Sequence, residues 1–204
     1  MKNKFLAFYI TVLLSSIGAV ADITGVQATV RAEEAYRNIL LQSDITIDGT
    51  VLQKDGTSFC VKDLNHDGIS ELLLIHNGTS YGDSFMVIAT YYKNEVRQLY
   101  NDMWREDIVK VYSKGSIFYI QSQMTITFKD YYQIKKGKLK NVASYNSDSD
   151  FMNGGLGGGK PEYILGTKKV TKEKFQSWIK EKTKGSSAKE LKFLLLTEEN
   201  VNKI

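Results

Sequence analysis

The chain has 204 residues, of which 42% are hydrophobic and 25% are charged, and its net charge is +4. This composition excludes a chain that is disordered throughout, and it suffices for one domain with a buried core. Cys60 is the single cysteine of the sequence, so an intramolecular disulfide is excluded as well.

The N-terminus has the pattern of a secretory signal peptide. Lys2 and Lys4 precede an apolar run over residues 5–20, and small residues then stand where a signal peptidase would cut after Ala21. An alternative cut follows Ala28. The apolar run is shorter than the about 20 residues that a spanning helix needs. The sequence therefore predicts signal peptide 1–21, a secreted or surface-associated protein without a stable membrane span after cleavage, and no nucleic-acid partner.

The chain after the signal peptide predicts one helix followed by strands. Residues 29–42, TVRAEEAYRNILLQ, place apolar side chains at helical spacing. From Ser58 the apolar residues instead recur with a period of two, and this predicts about eight strands: SFCVK, ELLLIH, SFMVIATYY, EVRQLY, DIVKVY, SIFYIQ, TITFKDYYQI and KLKNVASY. Short turns at Lys93-Asn94, Lys114-Gly115 and Lys136-Gly137 require antiparallel neighbours. The predicted fold class is α+β, an antiparallel β meander with an N-terminal helix and C-terminal helices. The even strand spacing also allows a propeller-like sheet.

The last third of the chain differs in composition. Residues 146–161 are rich in glycine and predict a loop, and GGLGGGKP within them lacks the Ser or Thr of a phosphate loop, so no nucleotide is expected. Thr171 can cap a helix over VTKEKFQSWIKEKTKG. The tail favours either a helix with a capping box at Ser187 and Glu190, or a strand at FLLL followed by a short helix capped by Thr197. The predicted organisation is a domain over 29–145, the loop, and a C-terminal helical segment over 162–204 packing on the same domain.

The segment DLNHDGISE, residues 63–71, carries the strongest ligand signal. Oxygen-bearing side chains alternate along it, and Gly68 allows the chain to turn back sharply so that they converge. Calcium takes about six to eight oxygen ligands. The predicted ligands of a Ca²⁺ ion are Asp63, Asn65, Asp67, the backbone carbonyl of Ile69, and Glu71. The alternative is a turn rich in Asp and Asn that holds no metal.

The spacing of this loop distinguishes between two kinds of calcium site. A helix–loop–helix site needs an acid at position twelve, which is Leu74 here, and the flanking segments are strand-like. The loop instead resembles the FG-GAP or VCBS type, D-x-[DN]-x-D-G-x-x-[DE]-L. Asp63, Asn65, Asp67, Gly68, Glu71 and Leu72 match that pattern. With AYRNIL, VTKEKFQSWI and LLLTEENV, the chain resembles exported, clostridial-type Gram-positive proteins of largely unknown function carrying a single such loop. The resemblance implies export and calcium binding, and no particular activity.

No residue is singled out as catalytic, so the leading hypothesis is a binding protein. Lysines are frequent from Lys129 onward, and many tyrosines fall in predicted strands, where exposed rings can stack on sugars. The sequence thus favours a secreted calcium-binding module for cell-wall polymer or surface polysaccharide. The alternatives are a secreted hydrolase with an unidentified carboxylate pair, and a protein-binding adhesin or inhibitor. A row of exposed tyrosines, a cleft with facing carboxylates, or a flat apolar patch would favour these three hypotheses respectively.

Overall fold

The computed structural model describes residues 27–77, 85–103, 107–123, 126–152 and 157–204. Within them the chain forms four helices and fourteen strands. The helices are α1 (27–40), α2 (Ser149–Met152), α3 (Lys172–Lys182) and α4 (Glu198–Val201). The strands are β1 (Asp44–Ile47), β2 (Thr50–Gln53), β3 (Thr57–Lys62), β4 (Glu71–His76), β5 (Phe85–Tyr92), β6 (Glu95–Met103), β7 (Ile108–Tyr112), β8 (Phe118–Gln123), β9 (Thr127–Lys135), β10 (Lys138–Asn146), β11 (Glu162–Leu165), β12 (Lys168–Lys169), β13 (Ala188–Glu190) and β14 (Leu194–Leu195).

The strands form two large antiparallel sheets and one small hairpin. The five-stranded sheet has the order β14-β3-β4-β5-β6, and the seven-stranded sheet has the order β12-β11-β10-β9-β8-β7-β13. Among the described strands, β1 and β2 pair with each other and with no other strand. Within each large sheet the consecutive strands are neighbours, so the predicted antiparallel meander is confirmed. Lys93, Asn94 and Lys136 all have positive φ, as the predicted tight turns require.

The predicted number of strands was wrong. All eight predicted segments are strands, β3 to β10, but there are six further strands of two to four residues: β1 and β2 form the hairpin, and the other four extend the large sheets. Both large sheets are open and have edge strands, so the propeller-like alternative is also wrong. The missed strands are too short for alternation to be visible in the sequence, and their pairing depends on neighbours supplied by the fold.

Four layers follow from the way in which the apolar faces are buried. One face of the five-stranded sheet packs on α1, the β1–β2 hairpin and Val201 of α4. Its other face packs on the seven-stranded sheet, with Leu73 and Ile88 on one side and Phe118 and Ile120 on the other. The remaining face of the seven-stranded sheet carries Tyr112, Tyr119 and Tyr131 and is partly covered by α3 through Phe175. The order is therefore helix, sheet, sheet, helix, and the central strands β4 and β5 are buried on both faces.

The C-terminal segment joins both sheets. β13 pairs with β7 of the seven-stranded sheet, and a few residues later β14 pairs with β3 of the five-stranded sheet. Leu191 and Phe193, which lie between these strands, pack into the core between the sheets. Thr197 accepts a hydrogen bond from the backbone N–H of Asn200 and caps α4, so the tail follows the strand alternative.

Two predicted features fall outside the described residues in whole or in part. The signal peptide 1–21 lies outside them, whereas the alternative cut after Ala28 falls within α1. The glycine-rich loop is described at both ends, where the carboxylate of Asp148 accepts hydrogen bonds from the backbone N–H groups of Gly158 and Gly159. No helix in the described part of the chain is long and apolar enough to span a membrane.

Candidate functional site

The predicted calcium loop connects the neighbouring strands β3 and β4 of the five-stranded sheet. These strands pair up to Lys62 and Glu71, so residues 63–70 form the whole connection. Gly68 has a φ of +89°, and an added Cβ would meet nothing within 4 Å. Glycine is therefore required there for backbone conformation and not for space. The sharp reversal predicted at this position is present.

Asp63 closes the loop through its carboxylate. One oxygen accepts hydrogen bonds from the backbone N–H groups of His66 at 2.6 Å and Asn65 at 3.3 Å, and the other accepts one from Gly68 at 3.0 Å. Hydrogen bonds from N–H groups to an ionised carboxylate are among the stronger ones in proteins. The first predicted ligand thus holds three backbone groups of its own loop in a tight turn.

Asn65 and Asp67 face each other across the turn. The side-chain amide of Asn65 donates to Asp67 at 2.8 Å, and its carbonyl oxygen accepts from the backbone N–H of Asp67 at 3.0 Å. The other oxygen of Asp67 accepts from the N–H of Ile69 at 2.9 Å. Three predicted ligands therefore lie together, while the assignment of the Ile69 carbonyl as a ligand stays a prediction.

Glu71 lies below the loop and has no exposed surface. Its carboxylate accepts hydrogen bonds from the backbone N–H of Leu64 at 2.9 Å and from the hydroxyl of Thr90 at 3.1 Å. Burial raises the pKa of this carboxyl to about 8, against the effect of those two hydrogen bonds, and the charges of Asp67 and Asp63 raise it further. In the described part of the chain, no lysine or arginine forms an ion pair with it.

Contacts from three layers hold the loop in place. The hydroxyl groups of Thr29 and Tyr36, both on α1, donate to the carbonyl oxygens of Gly68 and Ser70. From the other side, Nε2 of the exposed His66 donates to the carbonyl oxygen of Tyr112 in the seven-stranded sheet at 2.7 Å. The loop, which belongs to the five-stranded sheet, is thus hydrogen-bonded to α1 and to the seven-stranded sheet. A change in the loop would therefore affect the packing of all three layers.

The oxygen atoms of these side chains are the type of ligand that calcium prefers, but the side chains are not arranged around a common point. Across the described residues, no group of three or more His, Cys, Asp or Glu side chains is placed to hold a metal ion. Each carboxylate oxygen has two lone pairs, so the hydrogen bonds from N–H groups leave further acceptor capacity on Asp63, Asp67 and Glu71. An ion would require these three side chains to turn one oxygen each toward the same position.

A second feature is a row of aromatic side chains on the outer face of the seven-stranded sheet. Its rings lie in successive pairs with centroids 5.1 to 5.8 Å apart: Tyr112 with Tyr119, Tyr119 with Tyr131, Tyr131 with Phe175, Phe175 with Tyr163, and Tyr163 with Tyr145. Tyr112, Tyr119 and Tyr131 are buried. They therefore serve in packing, as aromatic residues in strands commonly do. Tyr145 and Tyr163 are only half-buried, and they form the accessible end of the row.

That accessible end opens into a groove between α3 and the sheet. The groove has a volume of about 550 Å³, and its lining includes Tyr145 and Tyr163 from the sheet and three lysines, Lys129, Lys172 and Lys180. None of the described residues that line it is acidic. The ammonium group of Lys129 lies 5.7 Å from the ring centroid of Tyr119 and 5.8 Å from that of Tyr145. We call this cavity the basic groove.

A third feature lies on the inner face of the same sheet. A cleft of about 260 Å³ between the two sheets is lined by Tyr100, Asp102, Asp107, Ile120, Ser122, Asp130 and Tyr132. Burial raises the pKa of Asp130, although Asn141 donates to its carboxylate at 3.0 Å. The rings of Tyr100 and Tyr132 meet edge to face with centroids 5.9 Å apart. We call this cavity the acidic cleft.

The comparisons with known proteins were made against families, curated proteins and solved structures. None of the three found a match for this chain. The resemblance to FG-GAP and VCBS loops therefore rests on residues 63–72 alone and stays a prediction. Both cavities were missed by the sequence analysis, although β9 contains a signal for them. In β9, Lys129 and Tyr131 alternate with Asp130 and Tyr132. One face of the strand therefore carries a lysine and a tyrosine, and the other face carries an aspartate and a tyrosine.

Proposed function

We propose that the chain is an exported calcium-binding protein that acts as a binding module for cell-wall polymer or another surface polysaccharide. The observation that carries the calcium assignment is Glu71, a fully buried carboxyl beneath a loop with two more carboxylates. Burying a charge without a partner is costly, and the group then either takes up a proton or is compensated by a cation. Calcium supplies that cation for Asp63, Asn65, Asp67, Ile69 and Glu71.

The binding role is supported by the basic groove. Its volume of about 550 Å³ is within the usual range for small-molecule sites, and half-buried aromatic rings form its wall. Half-buried tyrosines can stack on the faces of sugar rings while their hydroxyl groups remain in contact with water. A row of tyrosines that ends in an open groove favours a saccharide partner over a flat protein surface.

The acidic cleft supports a second candidate function, a secreted hydrolase. Glycoside hydrolysis uses two carboxyl groups whose environments separate their pKa values. Asp102 is exposed at one side of the cleft, whereas burial raises the pKa of Asp130. If this candidate is correct, Asp130→Asn abolishes the release of reducing sugar from envelope polysaccharide, and Asp44→Asn, at an exposed strand end, leaves it unchanged.

The calcium assignment is tested by calorimetric titration and by melting curves in EDTA, calcium and magnesium. At ten times its dissociation constant, calcium stabilises the fold by about 1.4 kcal/mol. Magnesium substitutes poorly because it requires a smaller and stricter octahedron. Asp67→Asn removes most of the calcium effect, whereas Asp55→Asn, which changes an exposed acid outside the loop, does not. The absence of binding heat at millimolar calcium, together with equal melting points, would leave the loop as a turn without metal.

Export and partner binding are tested separately. Mass spectrometry of the protein recovered from culture medium should find an N-terminus at Asp22 or Thr29, and an intact Met1 would contradict cleavage. For the partner, purified envelope polysaccharide is immobilised and the protein is applied with calcium or with chelator. Retention in calcium supports the binding role, and the absence of retention in both conditions contradicts it.

A further inference from the structure

We propose that the basic groove binds an acidic saccharide, with sugar rings on Tyr145 and Tyr163 and the anionic groups on Lys129, Lys172 and Lys180. This rests on the proposed function and deepens it, because it names the site and the charge of the ligand. The loop at residues 63–71 has no part in the contact.

Lys129 lies where a bound anion would compensate its charge. Its side chain is half-buried on the outer face of β9, between the rings of Tyr119 and Tyr145. Burial and the neighbouring charge of Lys110 both lower its pKa. Among the described residues it forms no ion pair, so the faces of two aromatic rings are what partly compensate its charge. A partly desolvated ammonium group of this kind favours an anion.

Positive charges line both sides of the groove. Lys172 in the first turn of α3 and Lys180 in its last turn lie on the side opposite Lys129, and both are exposed. Neither forms an ion pair in the part of the chain that the structure describes. Three positive charges along one cavity, with no acid among its described lining residues, raise the local concentration of anions there.

The aromatic rings of the groove form a continuous surface beside these charges. Tyr145 and Tyr163 lie with ring centroids 5.2 Å apart and planes at 38°, and Tyr163 continues to Phe175 at 5.4 Å. Aromatic surface beside spaced cations fits a ring-shaped ligand with charged substituents better than a small inorganic anion. It also disfavours a membrane, because a flat lipid surface would reach the exposed Lys172 and Lys180 before the half-buried Lys129.

The test compares carboxymethyl dextran with unmodified dextran, since the two share a backbone and differ in charge. The wild-type chain should bind the anionic polymer at least about tenfold more tightly in low salt. Lys129→Gln should weaken this binding by about tenfold, and so should the double variant Lys172→Gln, Lys180→Gln, whose positions are exposed and leave folding intact. Melting curves check that each variant is folded.

The matched control is Lys135→Gln. Lys135 lies six residues further along β9 on the same face, roughly 20 Å away, and is exposed outside the groove. The Lys135→Gln substitution removes the same charge as Lys129→Gln and should change binding by less than about twofold. An equal loss in Lys135→Gln and Lys129→Gln would mean diffuse attraction to the surface and would overturn the site.

The stacking contribution is separated by Tyr145→Phe, which keeps the ring, and Tyr145→Leu, which removes it. Binding should survive the first change and weaken in the second, and equal behaviour of the two variants would overturn the stacking arrangement.

The last comparison uses vesicles containing phosphatidylglycerol. If the protein binds these vesicles and Lys129→Gln weakens that binding equally, the groove is a membrane site instead. If the protein binds envelope polysaccharide and plain dextran, and Lys129→Gln leaves this binding unchanged, the acidic ligand is overturned and the proposed function remains intact. If the protein binds neither of these polymers, both the acidic ligand and the proposed function are overturned.

Discussion

The loop at residues 63–71 and the acidic cleft both bring several carboxylates together, but they do so by different means. In the loop, Asp63 and Asp67 accept hydrogen bonds from N–H groups within five residues of themselves. In the cleft, Asp102, Asp107 and Asp130 come from three separate segments of the chain. Asp102 accepts a hydrogen bond from the hydroxyl of Tyr100, and Asp130 accepts one from the side-chain amide of Asn141. The loop is a local structure, whereas the cleft exists only in the folded chain.

This difference determines how each region responds to charge. The loop places one carboxyl, Glu71, out of contact with water and surrounds it with neutral donors and two further acids. The cleft keeps Asp102 exposed and Asp130 partly exposed, so solvent screens these two charges, whereas Asp107 is buried. We therefore expect Glu71 to affect stability more than Asp102 or Asp130, and the following predictions test that contrast.

The largest expected effect is a fall in stability with rising pH in the metal-free protein. The folded pKa of Glu71, about 8, lies above its unfolded value, so between these values the native state binds a proton that the unfolded state has lost. In EDTA the free energy of unfolding should therefore decrease by roughly 3 kcal/mol between pH 5 and pH 8, since each unit is worth at most about 1.4 kcal/mol. Urea unfolding across this range measures the effect.

The control for the pH effect is Glu71→Gln, which keeps the size of the side chain but cannot ionise. Its stability should be nearly flat over the same range, whereas Asp130→Asn should keep most of the wild-type slope. A slope that persists in Glu71→Gln would show that another group is responsible.

The next largest effect concerns the two groups that donate hydrogen bonds to Glu71. At pH 5 in EDTA, Glu71→Ala leaves the N–H of Leu64 and the hydroxyl of Thr90 without their acceptor in a buried position. Each such loss is worth about 1–3 kcal/mol, so we expect destabilisation of at least about 2 kcal/mol by chemical denaturation. A change below about 0.5 kcal/mol would contradict the buried position of this side chain.

A smaller effect is expected at Gly68. Its φ of +89° strains any residue with a Cβ, although no atom stands in the way. Gly68→Ala should therefore destabilise the protein by about 1 kcal/mol and weaken calcium binding through the altered turn. Thermal melting in EDTA and a calcium titration measure the two consequences. An unchanged melting point and affinity would mean that the turn adapts without strain.

The smallest effect is expected in the cleft. Asn at position 130 still offers a side-chain carbonyl to Asn141, and the site is only partly buried. Asp130→Asn should therefore change the free energy of unfolding by no more than about 0.5 kcal/mol, with or without calcium. A large destabilisation, or a loss of calcium binding in this variant, would show that the cleft and the loop are coupled.

The contrast between local and long-range structure also explains what the sequence could reveal. The strands β3 to β10 are long enough for alternation to be seen, and their turns contain Lys-Asn and Lys-Gly pairs suited to positive φ. Strands such as Lys168–Lys169 and Leu194–Leu195 have two residues each, and only the neighbouring strand makes them part of a sheet. The helix–sheet–sheet–helix order could not be predicted, because β4 and β5 are apolar on both faces and therefore do not indicate which partner covers each face.

The same argument applies to the candidate sites. The clustering of Asp63, Asn65 and Asp67 could be predicted because consecutive residues of one turn make it. The sequence did not reveal that Glu71 is fully buried, since its burial and its hydrogen bond from Thr90 of β5 arise only in the folded chain. Neither cavity was predicted, because residues as distant as Lys129 and Lys180 approach each other only when α3 packs on the sheet.

The passage of one segment between the two sheets has a consequence for assembly. Residues 188–190 supply the strand beside β7, and residues 194–195 supply the strand beside β3. Neither sheet is complete until this late segment has arrived, so a nascent or truncated chain leaves the edges of β7 and β3 unpaired together. Unpaired edges are templates for association with other chains. Loss of the segment from residue 188 onward should therefore lead to aggregation as well as to lower stability.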